Sequence, residues 1–175
     1  GPYAFLDDYD SQYICNYTDQ GGRYSFGSQP NIGEWNLQAL MHALAPMVNI
    51  EKMEKVLEEY AILYTEHYLY LMGKKIGLDK LQESDLDLIK DLLGMMQGMS
   101  IDYTLFFRTL SRYDGERTAV LKLGLYHKPM NEWLDSYDER LKENSSNTEE
   151  RHSARLQTNP KFVHKNYMLQ EAITA

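Results

Sequence analysis

Residues 50–76, IEKMEKVLEEYAILYTEHYLYLMGKKI, decide the fold. Apolar side chains recur at Met53, Val56, Leu57, Tyr60, Leu63, Tyr64, Tyr68 and Leu71, three or four residues apart, as on one helix face. A half-buried strand would alternate every second residue instead. The spacing predicts a single helix, roughly 40 Å long at 1.5 Å per residue. From Tyr60 to Met72 the sequence is apolar nearly all round, so this helix is expected to be central and buried on several sides. His67 then reads as a hydrogen-bonded core residue, not a ligand.

The same period extends outward on both sides. Upstream, Trp35, Leu37, Leu40, Met41 and Leu44 predict a short amphipathic helix from about residue 33 to Pro46. Downstream, Ser84 is placed to cap a helix together with Asp87, much as a capping box does. Its apolar face is Leu86, Ile89, Leu92, Leu93 and Met96. Asp102 caps the next helix, with Tyr103, Phe106, Phe107 and Leu110 inward. A helix over 116–126 follows. Pro129 suits the first helical position of another, carrying Met130, Trp133, Leu134, Tyr137 and Leu141. Residues 142–150 read as a polar loop, and Asn159-Pro160 as the start of a final helix to about Ile173. No strand pattern competes after residue 32, so the fold class is all-α.

Residues 1–32 obey no such period. Gly21-Gly22 and Gly27-Ser28-Gln29-Pro30 are turn signals. The aromatic side chains Tyr3, Phe5, Tyr9, Tyr13, Tyr17, Tyr24 and Phe26 argue against disorder, because disordered segments are poor in them. The reading is a long, ordered, irregular loop over 1–32, followed by a helical bundle over 33–175, one domain overall. Gly1-Pro2 is not an initiator methionine, and further sequence is expected to precede it.

Composition narrows the function classes. With 18 Lys and Arg against 26 Asp and Glu, the net charge of −8 repels a phosphate backbone, so nucleic acid is not an expected partner. No apolar run nears the ~18–20 residues of a membrane helix, and no signal-peptide pattern is present, so no membrane is expected. Cys15, the single cysteine, excludes an internal disulfide framework and suits a reducing, cytoplasmic compartment. The triplets Asn16-Tyr17-Thr18 and Asn144-Ser145-Ser146 then match a glycosylation signal by chance.

The side-chain clusters do not compose a catalytic centre. Asp7, Asp8 and Asp10 suggest a cation loop, but counting from Asp8 places Tyr13 and Asp19 where an EF-hand needs glycine and glutamate. A solvated acidic turn is the better reading. Glu149 and His152 share a helix face, yet a di-iron bundle needs two such pairs, so this helix reads as exposed. His42, His127 and His164 lack ligand spacing. Neither the serine-hydrolase elbow nor the phosphate-binding P-loop occurs. The methionines read as core filler. No metal ligands and no catalytic residues are expected within the chain.

Several ordered motifs nevertheless carry a resemblance. Gly1-Pro2-Tyr3-Ala4-Phe5-Leu6-Asp7, Tyr13-Ile14-Cys15-Asn16, Gly22-Arg23-Tyr24, Gln29-Pro30 and Trp35-Asn36-Leu37 open the chain. Asp102-Tyr103-Thr104, Phe107-Arg108 and Leu110-Ser111 follow, then Asn159-Pro160-Lys161-Phe162-Val163, Asn166-Tyr167 and Leu169-Gln170-Glu171-Ala172-Ile173. In order and spacing these resemble the selenoprotein O family, while residues 48–100 match it only in helical character.

The resemblance implies a protein-kinase-like fold, of which this chain is the helical C-lobe portion. It implies transfer of AMP from ATP to the Ser, Thr or Tyr hydroxyls of protein substrates, with Mg or Mn as the metal. Gly1 would be the remnant of the metal-binding triplet, whose aspartate, like the catalytic Asp, Asn and lysine, would lie upstream. The chain alone would be inactive and bind no cofactor. Residues 2–32 would be the activation-segment equivalent. Cys15 falls where the family carries a regulatory activation-loop cysteine, although its C-terminal partner cysteine is missing here. Arg23 is the best-placed cofactor-facing cation of the loop, or simply ties the loop down. Without the surfaces that the loop would pack on, it is expected to be mobile, rearranged, or buried by self-association with a second copy. The competing reading is a non-catalytic helical protein-interaction module.

Overall fold

A computed structural model describes residues 6–174. Their regular structure is helical: α1 (Gln29–Leu44), α2 (Ile50–Glu58), α3 (Tyr60–Ile76), α4 (Asp85–Gly98), α5 (Tyr103–Leu110), α6 (Thr118–Leu121), α7 (His127–Leu141), α8 (Thr148–Thr158) and α9 (Asn166–Thr174). Among the described residues the only β-pairing is an isolated antiparallel bridge from Asp8 to Asp102, in keeping with an all-α chain. Two compact units divide the described chain, residues 11–68 and residues 6–10 with 69–174.

In the first unit, α1 begins at Gln29, earlier than the spacing of its apolar residues suggests. Pro30 sits in the first turn, where a missing N–H costs nothing, so the Gly27–Pro30 run opens a helix as well as making a turn. Asn49 caps α2 by accepting the Lys52 N–H at 2.9 Å. The one long helix expected over 50–76 is divided at Glu59, whose N–H turns back three residues to the Val56 carbonyl (3.3 Å). The Tyr60 hydroxyl donates to the Pro30 carbonyl (3.1 Å). Gly33 makes that approach possible, since a Cβ there would stand 2.7 Å from the tyrosine oxygen.

The burial expected for this stretch is met only at its end, where Met72 is buried, as is Ile76 beyond it. Ile62 is 61% exposed and Leu63 58%, and His67 is exposed rather than a core residue. Tyr60, Tyr64 and Tyr68 instead stack on one another along α3, with centroids 6.1 and 6.2 Å apart. An all-round apolar sequence favours burial, but burial also requires a neighbouring surface.

The second unit has a dense core. Helix α4 packs on α7. Ile89, Leu92 and Met96 from α4 are buried there, as are Met130, Leu134 and Tyr137 from α7. The Trp133 indole N–H donates to the Leu88 carbonyl at 3.0 Å, satisfying the one polar group of a buried ring. Ring contacts run unbroken from Tyr9 through Tyr103, Phe107, Phe106, Trp133 and Tyr137 to Tyr113, at centroid distances of 4.8–6.0 Å.

Several helix ends move from their expected places. Ser84 precedes α4 but its side chain makes no cap; the Asp85 carboxylate accepts the Gln82 N–H instead (2.8 Å). The helix expected over 116–126 is only the single turn α6. Glu116 lies outside it, its carboxylate accepting the Thr118 hydroxyl (2.7 Å). Helix α7 starts at His127, two residues before Pro129. The polar loop is shorter than 142–150, because Asn147 and Glu150 form a reciprocal capping box that starts α8. Asn159 ends α8 rather than opening α9, which begins at Asn166. As a buried amide, Asn159 donates to the Lys75 carbonyl (2.8 Å) and Ser111 hydroxyl (3.0 Å) and accepts from the Lys75 ammonium (3.1 Å).

Candidate functional site

The segment 6–10 is short, yet its sequence splits cleanly between faces. Leu6 and Tyr9 are buried while Asp7 and Asp8 stay exposed. The Tyr9 N–H donates to the Ile101 carbonyl (2.9 Å) and the Tyr103 N–H donates to the Asp7 carbonyl (3.1 Å). These bonds dock the segment on the turn between α4 and α5. Asp102 serves twice at that turn: one carboxylate oxygen caps α5 through the Leu105 N–H (2.7 Å), as the sequence predicts, and the other lies 3.0 Å from the Lys165 ammonium. Lys165 also reaches the Asp7 carboxylate (2.6 Å) and the Leu6 carbonyl (3.3 Å). Burial favours its neutral form, but hydrogen bonds to Asp7 and Asp102 outweigh that and raise its pKa.

The expected site residues are spread apart. Gly1 lies outside the described residues. Arg23 is exposed, with its guanidinium 4.5 Å over the Trp35 ring and 5.7 Å from that of Tyr24. The Asp19 carboxylate accepts the backbone N–H groups of Arg23 (3.0 Å) and Tyr24 (2.7 Å), so this part of the loop is tied by its own residues. Cys15, the single cysteine, lies half-buried in the same loop. His42, His127 and His164 are exposed. Glu149 is exposed, but His152 is half-buried, its Nε2 2.9 Å from the Tyr113 carbonyl and hence the protonated nitrogen.

Sequence reasoning missed the buried cations. Arg155 is fully buried in α8, donating to the Tyr137 hydroxyl (2.8 Å) and the Tyr113 carbonyl (2.7 Å). Tyr137 in turn donates to the Ile76 carbonyl. Gly77, at φ +80°, leaves Arg155 room: a Cβ there would stand 2.9 Å from the arginine Cδ. Arg140 pairs with buried Asp85 through two nitrogens (2.6 and 3.1 Å). Lys75 lies over the Phe107 ring at 4.7 Å, and burial lowers its pKa. Arg140 falls three residues after Tyr137 on the inward face of α7, the one signal in the sequence that it turns to the core.

One cavity of about 430 Å³ lies among Tyr70, Lys74, Asp79, Ser146 and Arg151. Its polar groups already bind each other: Asp79 accepts from Ser146 at 2.7 Å, and Arg151 donates to the Ser146 carbonyl. Among the described residues no three His, Cys, Asp or Glu side chains converge to hold a metal. Among them no helix is long and apolar enough to cross a membrane.

Fold and site together define a helical protein whose N-terminal segment is held by a lysine between two carboxylates. The family described as protein adenylyltransferase SelO matches residues 1–175, and the chain belongs to that family. It is similar to the protein nucleotidyltransferase YdiU of Pseudomonas aeruginosa, with 41% identity over 177 residues, which is 100% of this chain and 36% of the relative. The Aliivibrio fischeri protein of that name is 40% identical over 174 residues, covering 99% of this chain and 36% of the relative. The chain thus spans little more than a third of the length of these curated relatives.

Proposed function

We propose that the chain is the helical, C-lobe part of a kinase-like protein adenylyltransferase acting in the cytoplasm. In that reaction a Ser, Thr or Tyr hydroxyl oxygen of a protein substrate bonds to the α-phosphorus of ATP. The bond to the β-phosphate oxygen breaks, pyrophosphate leaves, and the hydroxyl proton passes to a base. The observation that carries the reading is the family match along the whole chain.

Mg or Mn would neutralise the phosphates. The described residues bring no three His, Cys, Asp or Glu side chains together for it. Their contribution is to fix the N-terminal segment on the helices.

A chimera tests the proposal. This chain replaces the matching 177 residues of the Pseudomonas aeruginosa relative, and ATP labelled at the α-phosphate is supplied with Mg. Labelled protein is expected from the chimera and none from the 175-residue chain alone. A folded chimera that transfers nothing, or Mg-dependent labelling by the chain alone, sinks the reading.

A second reading, a protein-interaction module, is favoured by the exposed Trp35, Leu40, Ile62 and Leu63. Self-association of the chain is part of that reading. A chain that sediments as a monomer at all concentrations tested counts against it.

A further inference from the structure

We infer that Arg23 and Trp35, with Tyr24 beside them, form a docking point for an acidic protein segment. Such a segment presents a carboxylate to the guanidinium and an apolar side chain to the rings. The inference deepens the protein-interaction reading above and needs nothing from the adenylyl-transfer one. The Arg23 guanidinium lies 4.5 Å over the Trp35 ring and 5.7 Å from that of Tyr24, within cation–π range of both. Stacking uses the face of this planar group and leaves its N–H edge, a fork that matches a carboxylate. Among the described residues no carbonyl or carboxylate engages that edge.

The loop does not need the guanidinium to hold its shape. The Asp19 carboxylate takes the backbone N–H groups of Arg23 and Tyr24, at 3.0 and 2.7 Å. The Gln29 side-chain amide donates to the carbonyls of Tyr24 (2.7 Å) and Ser25 (3.2 Å), and the Phe26 N–H to that of Tyr13 (2.9 Å). Backbone groups fix the turn, and the Arg23 side chain is left over, set in place by the rings. A donor placed in advance loses less freedom on binding than an ordinary surface arginine. Trp35 is 51% exposed and Tyr24 39%, and Arg, Trp and Tyr are the residue types that carry most binding energy at protein interfaces. All three side chains are exposed, whereas a small-molecule site encloses most of its ligand, so a protein segment is the better occupant. The net charge of −8 repels a phosphate dianion more strongly than a single carboxylate, which favours the carboxylate.

The two tryptophans of the 175-residue chain provide the test. In an NMR titration the indole N–H of Trp35 reports the docking point, and that of Trp133, bonded to the Leu88 carbonyl, reports the core. A synthetic peptide alternating glutamate with leucine is expected to shift the Trp35 signal saturably and to leave that of Trp133 in place. Arg23→Met is expected to weaken binding about tenfold, because it removes charge-assisted hydrogen bonds while keeping an apolar stem over the ring. Arg23→Lys is expected to recover little of that loss, since an ammonium has no fork. Arg23→Glu is expected to take up a peptide alternating lysine with leucine instead, a gain that a misfolded loop would not give.

The absence of a saturable Trp35 shift overturns the docking point, as does equal affinity of Arg23→Met for the glutamate peptide. Equal or tighter binding of the lysine peptide by the unsubstituted chain also overturns it, because the net charge alone would then explain the contact. Inorganic phosphate that displaces the peptide at a lower concentration than free glutamate does overturns the choice of a carboxylate. A chain that binds the peptide yet sediments as a monomer keeps the docking point and loses only self-association. One that self-associates but fails these titrations loses the docking point alone.

Discussion

Along α3, Ile62 and Leu63 are 61% and 58% exposed, while along α7, Met130, Leu134 and Tyr137 have no exposed surface at all. Both helices carry apolar residues at the same three-and-four spacing, and α3 is the more apolar of the two. The difference lies in their surroundings. Helix α7 has α4 and α6 against it and a series of aromatic rings beside it. Within residues 11–68, Met41 is the only buried hydrophobic side chain among those described. The hydrophobic effect acts on area removed from water, so an apolar face with no cover contributes little to stability.

The buried ion pair sets the sharpest contrast. Arg140→Ala is expected to cost about 3–5 kcal/mol in urea denaturation, because it leaves Asp85 charged and unpaired in the core of the second unit. A loss below about 1 kcal/mol would break the picture of a tightly packed unit. Next, Leu134→Ala is expected to cost about 2–5 kcal/mol through the cavity it leaves. Leu63→Ala, the same deletion on the exposed face, should stay within about 0.5 kcal/mol. Equal losses at the two sites would show that α3 is covered in solution.

Gly77→Ala tests the packing on Arg155, since it forces a side chain into φ +80° and against the arginine stem. Thermal unfolding should show a loss of more than about 1 kcal/mol. The smallest effect is a pH dependence. Burial and the Asp138 carboxylate, which accepts the Tyr113 hydroxyl, push the pKa of Tyr113 from 10.0 up to about 12. The fold therefore favours the protonated phenol. Its contribution is complete below about pH 10 and is lost as the pH rises towards 12. Tyr113→Phe should flatten that part of the stability–pH curve.

Much of the second unit was legible because its signals are local. The Asp102 cap, the faces of α4 and α5 and the inward residues of α7 each follow from neighbours within two helical turns. Where a local signal served another element, the reading slipped. Asn159-Pro160 has the form of a helix start, but the Asn159 amide is used by Lys75 and Ser111, so it closes α8. Glu116 looks helical and instead binds Thr118. The acidic turn at Asp7 and Asp8 is solvated as expected, yet its lysine partner comes from the other end of the chain. As for the proposed function, the ordered motifs pointed to the family, and the match over residues 1–175 bears that out.

The sequence by itself determined the helical class, most of the helix faces, the Asp102 cap and the family. These depend on residue type and on spacings of a few positions, which the chain carries wherever it is placed. Tertiary structure alone decided which apolar faces are covered and which charges are paired. Asp85 meets Arg140 across 55 residues and Leu6 meets Lys165 across 159, and no local period encodes such a meeting. Burial and ion pairing are properties of distance in space, so Ile62 and Leu63 of α3 stay open while Met130 and Leu134 of α7 are closed, although their sequences speak for the same fate.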